Sequence, residues 1–321
     1  MKKTFFYIFS TLFICTSCTD EQNQSDIDSE TMEIVNVENF NAFYDLLDEI
    51  NSYTESERLE WEAKMKFTSF GTICDNIYSS IDPKSFSSYD DIVRFVNDNN
   101  SYLEILEEDG ENYCLPKEEY NCERYLMNKD RMFIIGSYVF KKFDDEYVAT
   151  DIENFTALKN SSSKSEFVSS TNAKVYTFDK VNNLRAINKI SLEATHDSVI
   201  GGSDTYRIKL WIQTEDYWVM VGDIRTDREI EYTISNYARW LGIWWARSYS
   251  TSYYVYLETT DDISGQYLWY GGSDLNVSIK SLNDYLRYTI ESGSCSTYYP
   301  YFLSYNCWAK STKGGFVTLI Y

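Results

Sequence analysis

The second half of the chain alternates apolar and polar residues with a period of two, and this pattern limits its fold more than any other feature. In the run YRIKLWIQ, residues 206–213, an aliphatic or aromatic side chain stands at every second position. Successive side chains of a strand point to opposite faces, so the run predicts a strand with one apolar face. Similar runs cover residues 229–234, 253–258, 266–270, 275–279, 285–290 and 316–321. Short strands separated by turns such as Gly271-Gly272 and Gly314-Gly315 predict an antiparallel sandwich or barrel rather than a parallel sheet.

The first half shows helical spacing instead. Apolar residues at positions 40, 43, 47 and 50 follow Asn39, a predicted N-cap, and Thr54–Glu57 fits a capping box. A further helix is predicted from Ser88, and residues 107–112 are predicted to form a loop. Residues 131–153 predict a β-hairpin with Asp144-Asp145 in its turn. We therefore predict an α+β fold: N-terminal helices with a β-hairpin, followed by an antiparallel β-sandwich-like domain.

Composition divides the chain into four predicted segments. Residues 1–17 form a signal peptide, residues 18–35 a flexible acidic tether, residues 36–158 a helical and β-hairpin domain, and residues 172–321 the β-sandwich domain. Residues 159–171 are rich in Ser and Lys and poor in apolar groups, which predicts an interdomain linker.

The N-terminus predicts export. Lys2 and Lys3 precede an uncharged, mainly apolar run that ends at Ser17, and this run is too short to span a bilayer. The sequence Cys15-Thr16-Ser17-Cys18 resembles a bacterial lipobox, although Cys15 stands where Leu is usual. The resemblance implies that Cys18 becomes the lipidated first residue, and two or more acyl chains anchor a protein stably to a membrane. An ordinary secretory signal followed by a free cysteine is the alternative.

The segment after Cys18 is acidic and contains no aromatic residue, which predicts a solvated tether. It is similar to the surface-export signal of lipoproteins from gut and oral Bacteroidetes. This similarity implies a location on the outer membrane, lipid-anchored and facing the cell exterior. A short acidic tether without a targeting role is the alternative.

Charge excludes one class of partner. The whole chain has a net charge of −21, and removal of Lys2 and Lys3 with the signal leaves 27 basic against 50 acidic residues, a net charge of −23. A field of this sign repels nucleic acid and anionic lipid head groups, so neither is an expected partner.

The cysteines predict two disulfides and no metal site. Cys114 can pair with Cys122 and Cys295 with Cys307 in an oxidising exterior, whereas Cys74 lies in a helical pattern as a small buried residue. The chain has one histidine, His196, and lacks Cys-x-x-Cys, so a tetrahedral zinc site is not expected. A calcium ion held by loop carboxylates is an alternative that no motif supports. We predict no cofactor.

The layout as a whole resembles a known group. A helical N-terminal part, the hairpin segment NKDRMFIIGSYVFKKFDDEYVATDIENF and an aromatic antiparallel β-domain follow a lipobox. This arrangement is similar to that of uncharacterised surface lipoproteins of Bacteroides. The resemblance implies lipidation at Cys18 but no catalytic residue.

The stretch ARWLGIWWARSYSTSYYVY, residues 238–256, contains three tryptophans and two arginines. As one strand it would place Trp240 and Trp244 on one face and Trp245 on the other; as a helix it would place all three on one stripe. Both arrangements favour core packing over an exposed ligand platform. We therefore expect emptying the Trp244 site to destabilise the fold.

Seven of the eight tryptophans lie beyond residue 173, which is more aromatic surface than one small sandwich core can hold. Trp211, which alternates with Arg207 and Lys209 on the polar side of its strand, is the predicted ligand-stacking residue. The sequence favours a non-catalytic glycan- or protein-binding module, because His196-Asp197-Ser198 cannot align as a triad and no other catalytic motif is present. A carboxylate-dependent glycoside hydrolase and a pilin-like structural subunit are the alternatives.

Overall fold

The protein is described here by a computed structural model that covers residues 34–119, 122–143, 146–171, 173–178, 191–201, 204–221, 223–260, 267–290 and 302–320. The predicted signal peptide, Cys18, most of the tether, Asp144-Asp145 and Cys295 lie outside these ranges. The helices are α1 (Phe40–Asn51), α2 (Glu55–Met65), α3 (Phe70–Ser79), α4 (Tyr89–Asp98), α5 (Phe155–Asn160) and α6 (Lys164–Ser170). None of the helices in these ranges is both long and apolar enough to cross a membrane.

Strands occur in both halves of the chain. Those of the first half are β1 (Asn36–Val37), β2 (Leu103–Glu108), β3 (Glu111–Pro116), β4 (Met132–Ile135), β5 (Tyr138–Phe143), β6 (Glu146–Asp151) and β7 (Tyr176–Phe178). Those of the second half are β8 (Ser191–Ile200), β9 (Asp204–Val221), β10 (Asp223–Trp240), β11 (Ile243–Ala246), β12 (Tyr249–Thr260), β13 (Tyr267–Tyr270), β14 (Ser273–Ile279), β15 (Ser281–Ile290), β16 (Phe302–Ser311) and β17 (Gly315–Ile320).

Helices α1 and α2 begin where the sequence predicts. Asn39 caps α1 by accepting a hydrogen bond from the backbone N–H of Ala42 at 3.0 Å. Thr54 and Glu57 form the reciprocal capping box at the start of α2. These local side-chain bonds satisfy N–H groups that have no partner inside the helix, which is why they mark helix starts in the sequence.

The N-terminal half is built around a five-stranded sheet in the order β1-β4-β5-β6-β7. Alternation along β4 sends Phe133 and Ile135 towards α1 and α3, and Met132 and Ile134 towards α5 and α6. Both faces of this sheet are therefore covered. The predicted hairpin is confirmed for β5 and β6, and β4 adds a further antiparallel strand to it.

The C-terminal half is a β-sandwich, as predicted. A large sheet runs in the order β2-β3-β11-β10-β9-β8, with β15 also paired to β10. A second sheet runs in the order β13-β12-β16-β17, with β14 also paired to β12. Between the sheets lies a buried apolar core, formed by Ile208, Leu210, Ile212, Ile230, Tyr232, Ile234, Val255, Leu257, Cys307, Ala309 and Val317.

Two segments differ from the sequence-based expectation. Residues 107–112 form the tip of the β2–β3 hairpin rather than a loop, with Glu107 paired to Asn112. The two-residue turn is Asp109-Gly110, and both residues adopt positive φ, of 52° and 76°. Asp-Gly is a preferred pair for such a turn. The predicted linker at residues 159–171 contains the end of α5 and all of α6, and Phe167 of α6 is fully buried against the first sheet.

The two halves share a sheet. Strand β3 pairs in parallel with β11, with Tyr113 opposite Trp244 and Cys114 opposite Trp245. The β2–β3 hairpin, placed by the sequence in the segment 36–158, therefore belongs to the large sheet of the C-terminal sandwich.

The two predicted disulfides stay predictions, because one partner of each lies outside the described part of the structure. Among the described residues, Cys114 and Cys307 are free thiols, and neither side chain is exposed to solvent. Cys114 lies in the core beside Trp245, and Cys307 lies in the sandwich core. The side chain of Cys122 and the whole of Cys295 lie outside the described part. Cys74 is buried in α3, as predicted.

Candidate ligand cleft

The tryptophan-rich stretch forms a tight hairpin, which is neither a single strand nor a helix. Leu241 and Gly242 have φ values of 50° and 85° and connect β10 to β11. Two positive φ values are required by the two-residue turn that best matches strand twist. The turn pairs Trp240 with Ile243 and Arg239 with Trp244.

This hairpin corrects the predicted grouping of the tryptophans. Residues opposite each other in an antiparallel pair share a face, so Trp244 lies on the face of Arg239. Trp240 and Trp245 lie together on the other face. A single continuous strand would instead group Trp240 with Trp244, because it contains no reversal at Leu241-Gly242.

Two of the three tryptophans are core residues, as the sequence predicts. Trp244 has no exposed surface, and its ring lies 4.2 Å from the guanidinium of Arg207 and 5.3 Å from that of Arg239. Trp245 is 1% exposed and packs against Phe86 and Tyr78, with ring centroids 6.0 and 6.2 Å away.

Trp240 is only half-buried and lines a cleft of about 550 Å³. This volume lies in the usual range for small-ligand sites. The cleft runs between the end of α3, the residues that follow it, the β10–β11 hairpin and the starts of β9 and β12. Its aromatic lining consists of Tyr78, Tyr206, Trp240, Trp245 and Tyr249, and its charged lining of Asp82, Lys84, Asp204, Arg239, Arg247 and Lys280.

Two tyrosines form one aromatic edge of the cleft. Tyr206 and Tyr249 pack edge to face, with ring centroids 5.6 Å apart and ring planes at 83°. Desolvation raises the pKa of Tyr249 to about 12, and the neighbouring Tyr206 adds to the shift. Both phenols are therefore neutral at physiological pH and can donate a hydrogen bond.

Two tryptophans of the cleft have indole donors without a partner. Within the described residues, the Nε1–H groups of Trp240 and Trp245 are buried and have no hydrogen-bond acceptor. A buried donor left unpaired costs about 1–3 kcal/mol. Because these nitrogen atoms are themselves buried, the contribution of Trp240 to the cleft is its ring surface.

Arg247 is held in place by the fold. It donates to the carbonyl of Ala246 at 3.1 Å and to that of Ile81 at 3.4 Å, and its guanidinium lies 5.9 Å from the ring of Tyr78. These contacts tie the β11 end of the cleft to the residues after α3. A cation fixed in this way can hydrogen-bond a ligand at little cost in side-chain entropy.

The two carboxylates of the cleft are engaged locally. Asp82 accepts from the backbone N–H of Lys84 at 3.0 Å, and Asp204 accepts from the hydroxyl of Tyr206 at 3.3 Å. Across the described ranges, no group of three His, Cys, Asp or Glu side chains has the geometry to hold a metal ion.

The predicted stacking residues lie outside this cleft, on the opposite face of the large sheet. Trp211 is half-buried and donates its indole N–H to the hydroxyl of Ser191 at 2.7 Å. Trp211 and Lys209 line a separate pocket of about 210 Å³ together with Glu108 and Thr233. Arg207 does not line this pocket, so the predicted trio is not assembled as one surface. A stacking role for Trp211 stays a prediction.

Arg207 and Lys209 are buried rather than solvent-facing. Arg207 is 8% exposed and makes a two-pronged ion pair with Asp197, at 2.6 and 2.8 Å. Lys209 is 6% exposed and lies 2.7 Å from Glu108 and 3.1 Å from Glu193. Burial disfavours the charge of Lys209, but these two carboxylates outweigh it and raise the lysine pKa. Both cations thus act within the fold.

The structure places His196, Asp197 and Ser198 as expected for three consecutive residues of strand β8. Asp197 reaches Arg207, whereas the hydroxyl of Ser198 donates to the carbonyl of Lys313. Alternation along the strand sends Asp197 to the face opposite its two neighbours. The three side chains therefore form no relay.

Comparisons with known proteins give no activity. No protein family profile and no curated protein matches the chain. Among solved structures, the chain is similar to the crystal structure of a DUF4848 family protein from Bacteroides thetaiotaomicron VPI-5482. The two are 12% identical with a TM-score of 0.27, over 90% of this chain and 97% of that one.

Proposed function

We propose that the protein is a non-catalytic glycan-binding module and that the cleft beside Trp240 holds a sugar ring. The observation that carries this proposal is a half-buried tryptophan that lines a cleft of about 550 Å³ together with two tyrosines and an arginine held in place by the fold. Aromatic faces pack against the C–H groups of sugars, and a few fixed polar groups set orientation. Trp240 supplies the face, and Arg247 with the Tyr206 and Tyr249 hydroxyls supplies polar groups.

The test is a glycan array followed by calorimetric titration of the best ligand, using the full chain with Cys18→Ala to avoid lipidation. Trp240→Ala should weaken binding about tenfold or more, as expected for an aromatic anchor worth at least ~1.4 kcal/mol. Trp211→Ala is the matched control, because it removes a half-buried tryptophan from the opposite face of the same sheet. Circular dichroism establishes that both variants are folded.

Four results would count against the proposal. Absence of binding to any glycan on the array would refute glycan recognition. Loss of binding in Trp211→Ala with full binding in Trp240→Ala would move the site to the Trp211 pocket. Release of reducing sugar that stops in Asp82→Asn or Asp204→Asn would instead favour the glycoside hydrolase, and polymers seen by light scattering would favour the pilin-like subunit.

We further propose that the module is anchored to the outer membrane through Cys18 and faces the cell exterior. The lipobox-like Cys15–Cys18 segment and the acidic tether support this location. Cys18→Ala removes the thiol that lipidation requires and should shift the protein from the membrane fraction to the soluble fraction. Membrane retention unchanged by this substitution would refute the anchor.

A further inference from the structure

A second pocket, in the N-terminal half, is lined mainly by cations, whereas the protein as a whole is acidic. It has a volume of about 380 Å³ and is lined by Lys117, Lys129, Arg131 and Lys141, with Asp130 as its one acid among the described lining residues. The chain as a whole carries a net charge of −21. Four cations beside one acid create a positive electrostatic potential in the pocket, although the net charge of the whole chain is negative.

The fold accounts for one of these cations. Lys141 is 9% exposed and donates to the backbone carbonyls of Leu158, Lys159 and Ser161 at 3.2, 2.7 and 2.7 Å. Its three N–H donors are thereby used at the C-terminal end of α5, where a positive charge is favourable. Because these carbonyls carry no net charge, they do not neutralise the ammonium group of Lys141, which keeps its positive charge in the pocket.

The charge of Lys141 is held at a free-energy cost. Burial lowers the pKa of Lys141, with Asp130 opposing the shift. In the described part of the chain, no carboxylate lies within ion-pair distance of Lys141. An anion bound in the pocket would therefore stabilise the charge of Lys141 and offset part of the free-energy cost of burying it.

The two outer cations have no structural role of this kind. Lys117 is partly exposed and Lys129 is exposed, and within the described residues neither forms an ion pair. Arg131 lies 3.9 Å from Glu118 and 6.0 Å from the ring of Phe70, the first residue of α3. Lys117 and Lys129 are thus available to a ligand, whereas Arg131 and Lys141 are engaged in contacts within the fold.

We propose that this pocket binds a small molecule carrying a doubly charged tetrahedral oxyanion, that is, a phosphate or sulfate ester. Lysine ammonium groups bind such oxyanions as point charges without demanding a planar partner. A bare oxyanion needs only about 100 Å³, scaled from the ~30 Å³ share of one water molecule. The remaining volume accommodates the group to which the oxyanion is esterified. The site is independent of the proposed glycan cleft, with which it shares no lining residue.

The test is calorimetric titration of the full Cys18→Ala chain with inorganic phosphate, inorganic sulfate and acetate at constant ionic strength. Phosphate or sulfate should bind saturably and acetate at least tenfold more weakly, and the two dianion arms show which ester is preferred. Lys117→Gln/Lys129→Gln should weaken dianion binding at least tenfold, because two charge-assisted contacts to the oxyanion are removed. Added salt should weaken binding further.

Lys64→Gln/Lys310→Gln removes the same charge from two exposed lysines elsewhere and should leave binding unchanged. Trp240→Ala should also leave it unchanged, which separates this site from the glycan cleft. Failure of both dianions to bind, acetate binding as tight as phosphate, or an equal loss in the Lys64/Lys310 variant would each overturn the proposal.

Discussion

Replacing Trp244 by alanine should destabilise the protein by about 4 kcal/mol. The side chain is fully buried, and a buried tryptophan removes roughly 150–250 Å² from water, worth about 4–6 kcal/mol at ~25 cal/mol per Å². Partial collapse of the site lowers this figure to the ~3–5 kcal/mol seen for large aromatic deletions. The substitution also removes the hydrogen bond that the Trp244 indole N–H donates to Glu111 at 3.3 Å, which adds to the cost.

The measurement is urea unfolding followed by far-UV circular dichroism, with linear extrapolation to zero denaturant. Trp211→Ala is the comparison, because Trp211 lies on the same face of the large sheet but is half-buried and loses one hydrogen bond to Ser191. It should cost about 1 kcal/mol, the usual net worth of such a bond. Equal, small losses in the two variants would refute the assignment of Trp244 to the core.

Two further predictions concern buried titratable groups. Burial raises the pKa of Glu104, although it accepts from the backbone N–H of Glu118 at 3.1 Å. Because the pKa of Glu104 is raised in the folded state, the unsubstituted chain loses stability as the pH rises from the unfolded pKa through the folded pKa. Glu104→Gln has no group that loses a proton there. Its stability relative to the unsubstituted chain should therefore increase between about pH 4 and pH 7. Urea unfolding at each pH tests this, and a constant or falling difference would contradict it. Burial also raises the pKa of Cys74 and Cys114 to about 12 and of Cys307 to about 11. These three thiols should resist maleimide in the folded chain and react after unfolding; peptide mapping that finds them labelled in the folded chain would contradict the burial.

The parts of the fold that follow from the sequence are those set by near neighbours. The capping box at Thr54–Glu57 is complete within four residues, and the alternation in residues 206–213 reflects two faces of one strand. Such patterns depend on local geometry alone, so they identify helices and strands without knowledge of the rest of the chain. They also suffice for the α+β class.

The pattern does not show what covers each face. Arg207 and Lys209 stand at the polar positions of β9, but Glu108 and Tyr113 arrive from a hairpin about a hundred residues earlier and bury them. The hairpin was itself missed because an acidic stretch with one glycine is typical of loops. Its Asp109-Gly110 pair was the available signal, since this pair favours a two-residue turn.

The cleft could not be predicted for the same reason. Tyr78 donates to the carbonyls of Cys114 and Ala246, 36 and 168 residues away, and this buried hydroxyl joins α3 to two strands of the large sheet. Lys280 adds an ion pair to Asp75 of α3 at 3.2 Å. The wall of the cleft is therefore made by contacts between distant segments, which sequence spacing does not record.

The way in which distant segments form the cleft also determines which substitution can test ligand binding without disturbing the fold. Trp245 lines the cleft but is wedged between Tyr78 and Phe86, so its removal would open the junction of the two halves along with the site. Trp240 lines the same cleft from the end of β10, beside an exposed turn, and is only half-buried. Truncation there removes the ligand-facing surface while the junction stays packed. A loss of binding in Trp240→Ala with a nearly unchanged unfolding midpoint would therefore report on recognition, whereas the same loss in Trp245→Ala would report on the fold.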